Sequence, residues 1–113
     1  MVNKVINDFH SNLEGYFANE AARSGFPSVA YFAEKAFLST NYFGDLVKHL
    51  TGKSATDYIQ NYAITLAQQK LLNSTLTIGE ISRSLGFEYP NYFAFFFRRK
   101  TGLSPTDYRK QSE

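Results

Sequence analysis

Asn41, Tyr42, Asp45 and Lys48 recur fifty residues later as Asn91, Tyr92, Phe95 and Arg98, with Arg99 alongside. Neither set is equipped for covalent chemistry, but both are equipped for contact. An Asn amide can pair with an adenine edge, Lys and Arg can hold phosphates, and a Phe ring can touch a thymine methyl. Asp45 is the exception among them, since it repels phosphate and can only accept from a donor such as cytosine N4. Ser39 and Thr40 precede the first set, and Lys100 follows the second. These three add candidate phosphate contacts through hydroxyl, backbone N–H or ammonium.

Other chemistries find no support in the chain. It has no Cys, no His–carboxylate–Ser constellation and no Gly-rich phosphate loop, so it reads as a non-enzyme. His10 and His49 stand alone without metal-ligand spacing, and neither a metal nor another cofactor is expected. His49 is a further candidate for phosphate. No apolar run approaches the roughly 18 residues of a membrane span. The start, MVNKVINDFH, lacks the apolar stretch of a signal peptide. A cytoplasmic location without membrane contact is therefore expected. Net charge is only +2, but residues 1–60 balance to −1 and residues 61–113 to +3, with Arg98, Arg99 and Lys100 dominating the second half.

The elements that must position these residues are all helical. Val5, Ile6, Phe9, Leu13, Tyr16 and Phe17 mark a first amphipathic helix over 4–18. Residues 19–28, with Gly25 and Pro27, read as a loop. Val29, Phe32, Ala33 and Ala36 mark a short second helix, and residues 41–50 a third that stops at Gly52. Ser54 starts a long helix with Asp57 in its first turn, and Ile59, Ala63, Leu66, Ala67 and Leu71 form its stripe. Thr77 and Glu80 form a capping-box pattern before Ile78, Ile81 and Leu85. A helix from Pro90 or Asn91 to Lys100 stops at Gly102. Ser104-Pro105-Thr106-Asp107 starts a last short one.

The recurrence is wider than the contact residues. Residues 37–59 match 87–109 at ten of 23 positions without a gap. At an offset of 49, Val29, Phe32, Ala36 and Leu38 also match Ile78, Ile81, Leu85 and Phe87. The unit is a short helix, a tight turn and a longer helix, the outline of a helix-turn-helix. Phe43 and Val47, and Phe93, Phe96 and Phe97, fall on the core side of the longer helices. Asn41, Tyr42, Asp45, Asn91, Tyr92 and Phe95 fall where such a helix meets base edges. Ser39, Thr40, Lys48, Arg98, Arg99 and Lys100 fall where it meets phosphates. Asn41 and Asn91 can equally serve as turn or cap residues, and the cations can equally be solvated. Tyr58 and Tyr108 read as structural anchors. The helix between the units, about 18 residues or roughly 27 Å, approaches the roughly 34 Å of one DNA turn.

Residues 28–110 resemble the DNA-binding domain of AraC/XylS-type bacterial transcription regulators. The resemblance rests on Ile81-Ser82-Arg83-Ser84-Leu85-Gly86-Phe87, Asn91-Tyr92-Phe93, Phe97-Arg98-Arg99-Lys100-Thr101-Gly102-Leu103-Ser104-Pro105 and Tyr108-Arg109. The first unit is looser, in Phe32-Ala33-Glu34-Lys35-Ala36-Phe37-Leu38-Ser39 and Tyr42-Phe43. It implies a two-lobed fold of about seven helices, promoter DNA and RNA polymerase as partners, and a separate effector-binding or sensor domain. The sequence departs from the family in having Asp45 and Phe95 where Arg is frequent, and Ala63 where a basic residue is common. Phe37 stands opposite Gly86, so the two turns are expected to differ.

The resulting expectation is an all-α chain. Residues 1–27 form a helix and loop packing on lobe one, 28–53 the first helix-turn-helix, 54–75 the linker helix, and 76–113 the second helix-turn-helix with a C-terminal helix. Because residues 1–27 read as a lead-in rather than a sensor, an excised domain of a larger regulator or sensor kinase is expected over a short single-domain regulator. The alternative function is a helical protein–protein interaction module with degenerate DNA reading, which Asp45, Phe95 and the low net charge motivate.

Overall fold

The computed structural model describes residues 2–111, and among them are eight helices and no strand. They are α1 (Val2–Asn19), α2 (Ala21–Ser24), α3 (Val29–Lys35), α4 (Thr40–Thr51), α5 (Ala55–Asn73), α6 (Ile78–Ser84), α7 (Pro90–Thr101) and α8 (Pro105–Gln111). Met1, Ser112 and Glu113, which the assigned boundaries include, lie outside the described residues.

Side-chain oxygens set most of the starts. Ser28, Ser39, Ser54 and Thr77 each accept the backbone N–H three residues on, at 3.2, 3.2, 3.0 and 3.0 Å. Each satisfies a donor that a helix N-terminus leaves open. Thr77 and Glu80 complete a reciprocal capping box, in which Glu80 Oε1 accepts the Thr77 backbone N–H at 2.8 Å. At the other ends, Gly52 and Gly102 take left-handed φ of 79° and 86° and close α4 and α7 alike. Thr51 and Thr101 repeat one further device: each hydroxyl donates to the carbonyl one turn back and accepts the N–H two residues on.

Burial of aromatic rings fills lobe one. Phe9 of α1 meets Phe32 of α3 and Phe43 of α4 edge-on, at 5.2 and 5.0 Å between centroids. Such pairs add to the area term by about 0.5–1.5 kcal/mol each. In lobe two Phe93, Phe97, Ile81 and Leu85 are fully buried, and Tyr108 of α8 lies edge-on to Phe97. α5 joins the lobes: Tyr58 stacks on Phe9, and Tyr62 on Phe17. At its far end Arg109 Nε donates to the Leu71 carbonyl at 2.9 Å, placing a cation at the negative end of the helix.

Three expectations are corrected here. The stretch 19–28 is not all loop: α2 makes one helical turn, with Ala21 buried. Its four residues carry no periodicity to read, and Glu20 gives no side-chain cap. Residues up to 27 do not pack on lobe one alone. α1 does so, whereas α2 packs on α6, and Phe26 donates its N–H to the Gly86 carbonyl in lobe two at 3.1 Å. The two turns, finally, share one hydrogen-bond pattern and a left-handed central residue. Phe37 takes φ 59° where Gly86 takes 93°. Phe37 and Gly86 donate to the Glu34 and Arg83 carbonyls, both at 3.0 Å, while Leu38 and Phe87 reach back to Ala33 and Ser82 at 3.0 and 3.1 Å. This is one Schellman motif built twice.

Candidate nucleic-acid interface

α4 and α7 bury equivalent positions. Phe43 and Val47, and Phe93 and Phe97, face inward at i and i+4, so the rotated positions must face solvent. Asn41, Tyr42, Asp45, Lys48 and His49 are exposed on α4, and Asn91, Tyr92, Phe95, Arg98 and Arg99 on α7. The structure thus brings each set onto one open helix face. Tyr42 and Tyr92 are 57% and 59% exposed, and Phe95 63%, which is high for side chains of that apolar area.

The two faces differ in charge. Lys48 and Asp45 lie within one turn of each other on α4, whereas α7 ends in Arg98, Arg99 and Lys100 with no acidic residue on the helix. Among the described residues none of Lys48, Arg98 and Arg99 forms an ion pair. Arg99 holds its guanidinium over the Phe95 ring at 5.9 Å, a cation–π contact that still leaves the ring largely exposed.

Lys100 is placed differently from its two neighbours. Its Nζ lies 3.7 Å from Asp57 Oδ1 at the start of α5, and only 22% of the side chain is exposed. A phosphate would have to compete with that carboxylate, so Lys100 belongs to the packing of α7 on α5 rather than to the open face. This sets Lys100 apart from Arg98 and Arg99.

The helix entries differ too. Ser39 accepts the Tyr42 N–H on one oxygen lone pair, which leaves its O–H to donate, and Thr40 follows exposed in the first turn. α7 starts at Pro90 after Tyr89, which caps nothing with its side chain. Tyr89 is instead half-exposed and lies edge-on to Tyr92 at 5.4 Å. It joins the candidate face, yet the sequence reading passed over it. Position 89 aligns with Ser39, so the repeat drew attention to a hydroxyl rather than to a ring.

Among the described residues no cluster of His, Cys, Asp or Glu could hold a metal ion, and no helix is long and apolar enough to cross a membrane.

Similarity to known proteins follows the same geometry. The sequence profile of a family described as a helix-turn-helix domain matches residues 32–111. Over 112 residues the chain is 31% identical to the HTH-type transcriptional activator RhaR of Salmonella dublin, covering 99% of this chain and 36% of that protein. It therefore spans about a third of the length of the curated relatives it matches. Among solved structures, the C-terminal domain of the two-component response regulator yesN from Fusobacterium nucleatum is 26% identical. It has a TM-score of 0.75 and covers 90% of this chain and 98% of its own. The DNA-binding domain of the global transcriptional factor AdpA, solved with a target DNA, shares the fold at 24% identity and a TM-score of 0.78, covering 97% and 90%.

Proposed function

We propose a function from the premise that the chain belongs to the AraC/XylS-type helix-turn-helix family of transcription regulators. It binds double-stranded promoter DNA sequence-specifically, with α4 and α7 entering adjacent major-groove segments. The observation that carries this reading is the pair of matched, open helix faces mounted on one connecting helix. α5 has 19 residues and is about 28 Å long, close to the roughly 34 Å between successive major-groove segments on one side of a duplex.

In this reading Lys48, Arg98 and Arg99, with Ser39 and Thr40 at the entry of α4, hold phosphates and set the register. Asn41, Tyr42, Asp45, Asn91, Tyr92 and Phe95 lie against base edges. Affinity then comes mainly from lobe two, whose Arg98 and Arg99 are in no ion pair among the described residues, and lobe one contributes selectivity, since Asp45 penalises every site without a donor opposite it. RNA polymerase and an effector-binding or sensor domain are proposed partners of the whole regulator, acting in the bacterial cytoplasm. No enzymatic step is assigned to this chain.

Exposure of Phe95 and Phe37 favours a second reading, a protein–protein module on the same scaffold. Fluorescence anisotropy with a random-sequence duplex pool at several salt concentrations separates the two. Binding that falls steeply with salt supports the DNA reading. No binding even at low salt supports the module.

A further inference from the structure

The two lobes touch at a point that the connecting helix does not explain. Gly25 and Phe26 cross from α2 to α3 and lie directly on the turn of lobe two. Phe26 donates its N–H to the Gly86 carbonyl at 3.1 Å. Its ring packs on Phe87 of that turn and on Phe96 of α7 itself, at 5.2 and 5.8 Å between centroids. The ring also lies edge-on to Phe17 of α1, at 5.9 Å between centroids. Tyr16 steadies the crossing by donating its hydroxyl to the Gly25 carbonyl at 2.6 Å. Two residues beyond Phe26, Ser28 caps α3 and lobe one begins.

The fit leaves no spare room. A Cβ placed on Gly86 would sit 2.5 Å from the Gly25 carbonyl carbon and 2.5 Å from the Phe26 nitrogen. Those neighbours are backbone, so they cannot rotate out of the way. The matching turn of lobe one carries Phe37, whose ring stands 95% exposed with nothing laid across it. The same hydrogen-bonded turn therefore serves different ends: only the lobe-two turn is a docking point for the chain that enters lobe one.

We propose that the Gly25–Phe26 crossing is a strut that fixes the spacing and orientation of α4 relative to α7, with Phe26 as its positioning residue. The functional consequence rests on the two-segment DNA reading above. With the strut seated, the second lobe meets its groove segment without a search, and a long duplex is favoured over a short one by effective concentration. Unseated, the lobes keep their spacing through α5 alone.

The test uses the whole chain, which has no native cysteine. Spin labels go on E34C in α3 and R83C in α6, both exposed, and the distance distribution is read by pulsed electron resonance. Carbon contacts settle at about 3.5–4.0 Å, so Gly86→Ala should back the strut off by about 1 Å and broaden or shift the distribution. Phe26→Ala, which leaves the backbone free to keep its conformation, should broaden it as well, and Phe26→Leu should restore part of the order. Helicity by circular dichroism identifies any variant that fails to fold. In parallel, anisotropy compares random duplexes of about 30 and about 10 base pairs, room for two lobes and for one. The wild-type preference for the longer duplex should fall about tenfold or more in Phe26→Ala, with short-duplex binding unchanged. An unaltered distance distribution in folded Phe26→Ala and Gly86→Ala overturns the strut, whatever the DNA result. An altered distribution with the long-duplex preference intact overturns its role in spacing. A wild type that binds neither duplex overturns the DNA reading instead, and the distance measurement alone then decides the strut.

Discussion

Phe37 and Gly86 occupy the same left-handed position in two turns of one hydrogen-bond pattern, with φ of 59° and 93°, and only one of them is a glycine. A left-handed conformation disfavours a residue with a Cβ by roughly 1–2 kcal/mol. The Phe37 ring, almost wholly in solvent, returns little of that through burial.

Phe37→Gly should therefore stabilise the protein. Part of the relief is offset by the greater freedom of glycine in the unfolded chain, which leaves a net gain of about 0.5–1 kcal/mol. Thermal melting checks this directly: the midpoint should rise. A lower midpoint would mean that the ring makes contacts in solution that its exposure does not suggest.

Ser82 offers a second stability test. It is fully buried at the position where lobe one has Ala33, and its hydroxyl has no hydrogen-bond partner among the described residues. Ser82→Ala removes an unsatisfied buried group and should stabilise by about 1 kcal/mol in chemical denaturation. A loss of that size would reveal a partner for the hydroxyl.

Capping contributes a pH-dependent component. The backbone N–H of Thr77, then its side chain, hold the Glu80 carboxyl below its ordinary range. Because the folded value is depressed, the stabilisation is present above the unfolded glutamate pKa and is lost as pH falls through the folded one. The melting difference between wild type and Glu80→Gln should accordingly favour wild type at pH 7 and shrink below about pH 4. A difference that is constant across that range would remove the carboxylate from the cap.

Much of this was legible in the sequence, though for a reason the repeat conceals. Of its ten identities, Thr51, Gly52, Ser54 and Asp57 with their partners build stops and starts rather than contacts. They could be read because capping is local: oxygen lone pairs and left-handed glycines act on residues a few positions away. Helical spacing placed Phe43, Val47, Phe93 and Phe97 in the core for the same reason. What could not be read is tertiary. α2 has no periodicity. Gly86 looked like a turn residue, whereas Gly25, sixty-one positions earlier, also needs it bare. Lys100 continues a run of cations, but its angular position on α7 turns it toward Asp57. The face that differs between copies, Asp45 against Phe95 and Lys48 against Arg98, is where function would separate the lobes.

Cation placement yields a direct comparison on DNA. Arg98→Ala and Arg99→Ala should each weaken binding on every sequence and reduce the salt slope by about 1. Lys100→Met should leave the slope nearly unchanged, since its ammonium is engaged with Asp57. Equal slope losses for all three would return Lys100 to the phosphate-facing set.

The most direct measurement is a hydroxyl-radical footprint on duplexes selected by the protein from a random pool. Docking of α4 and α7 in adjacent major-groove segments requires two protected segments on one side of the duplex, about one helical turn apart and roughly 10 base pairs between centres, with lobe-two protection surviving at higher salt. A single protected segment, or a pool that fails to enrich, would contradict it.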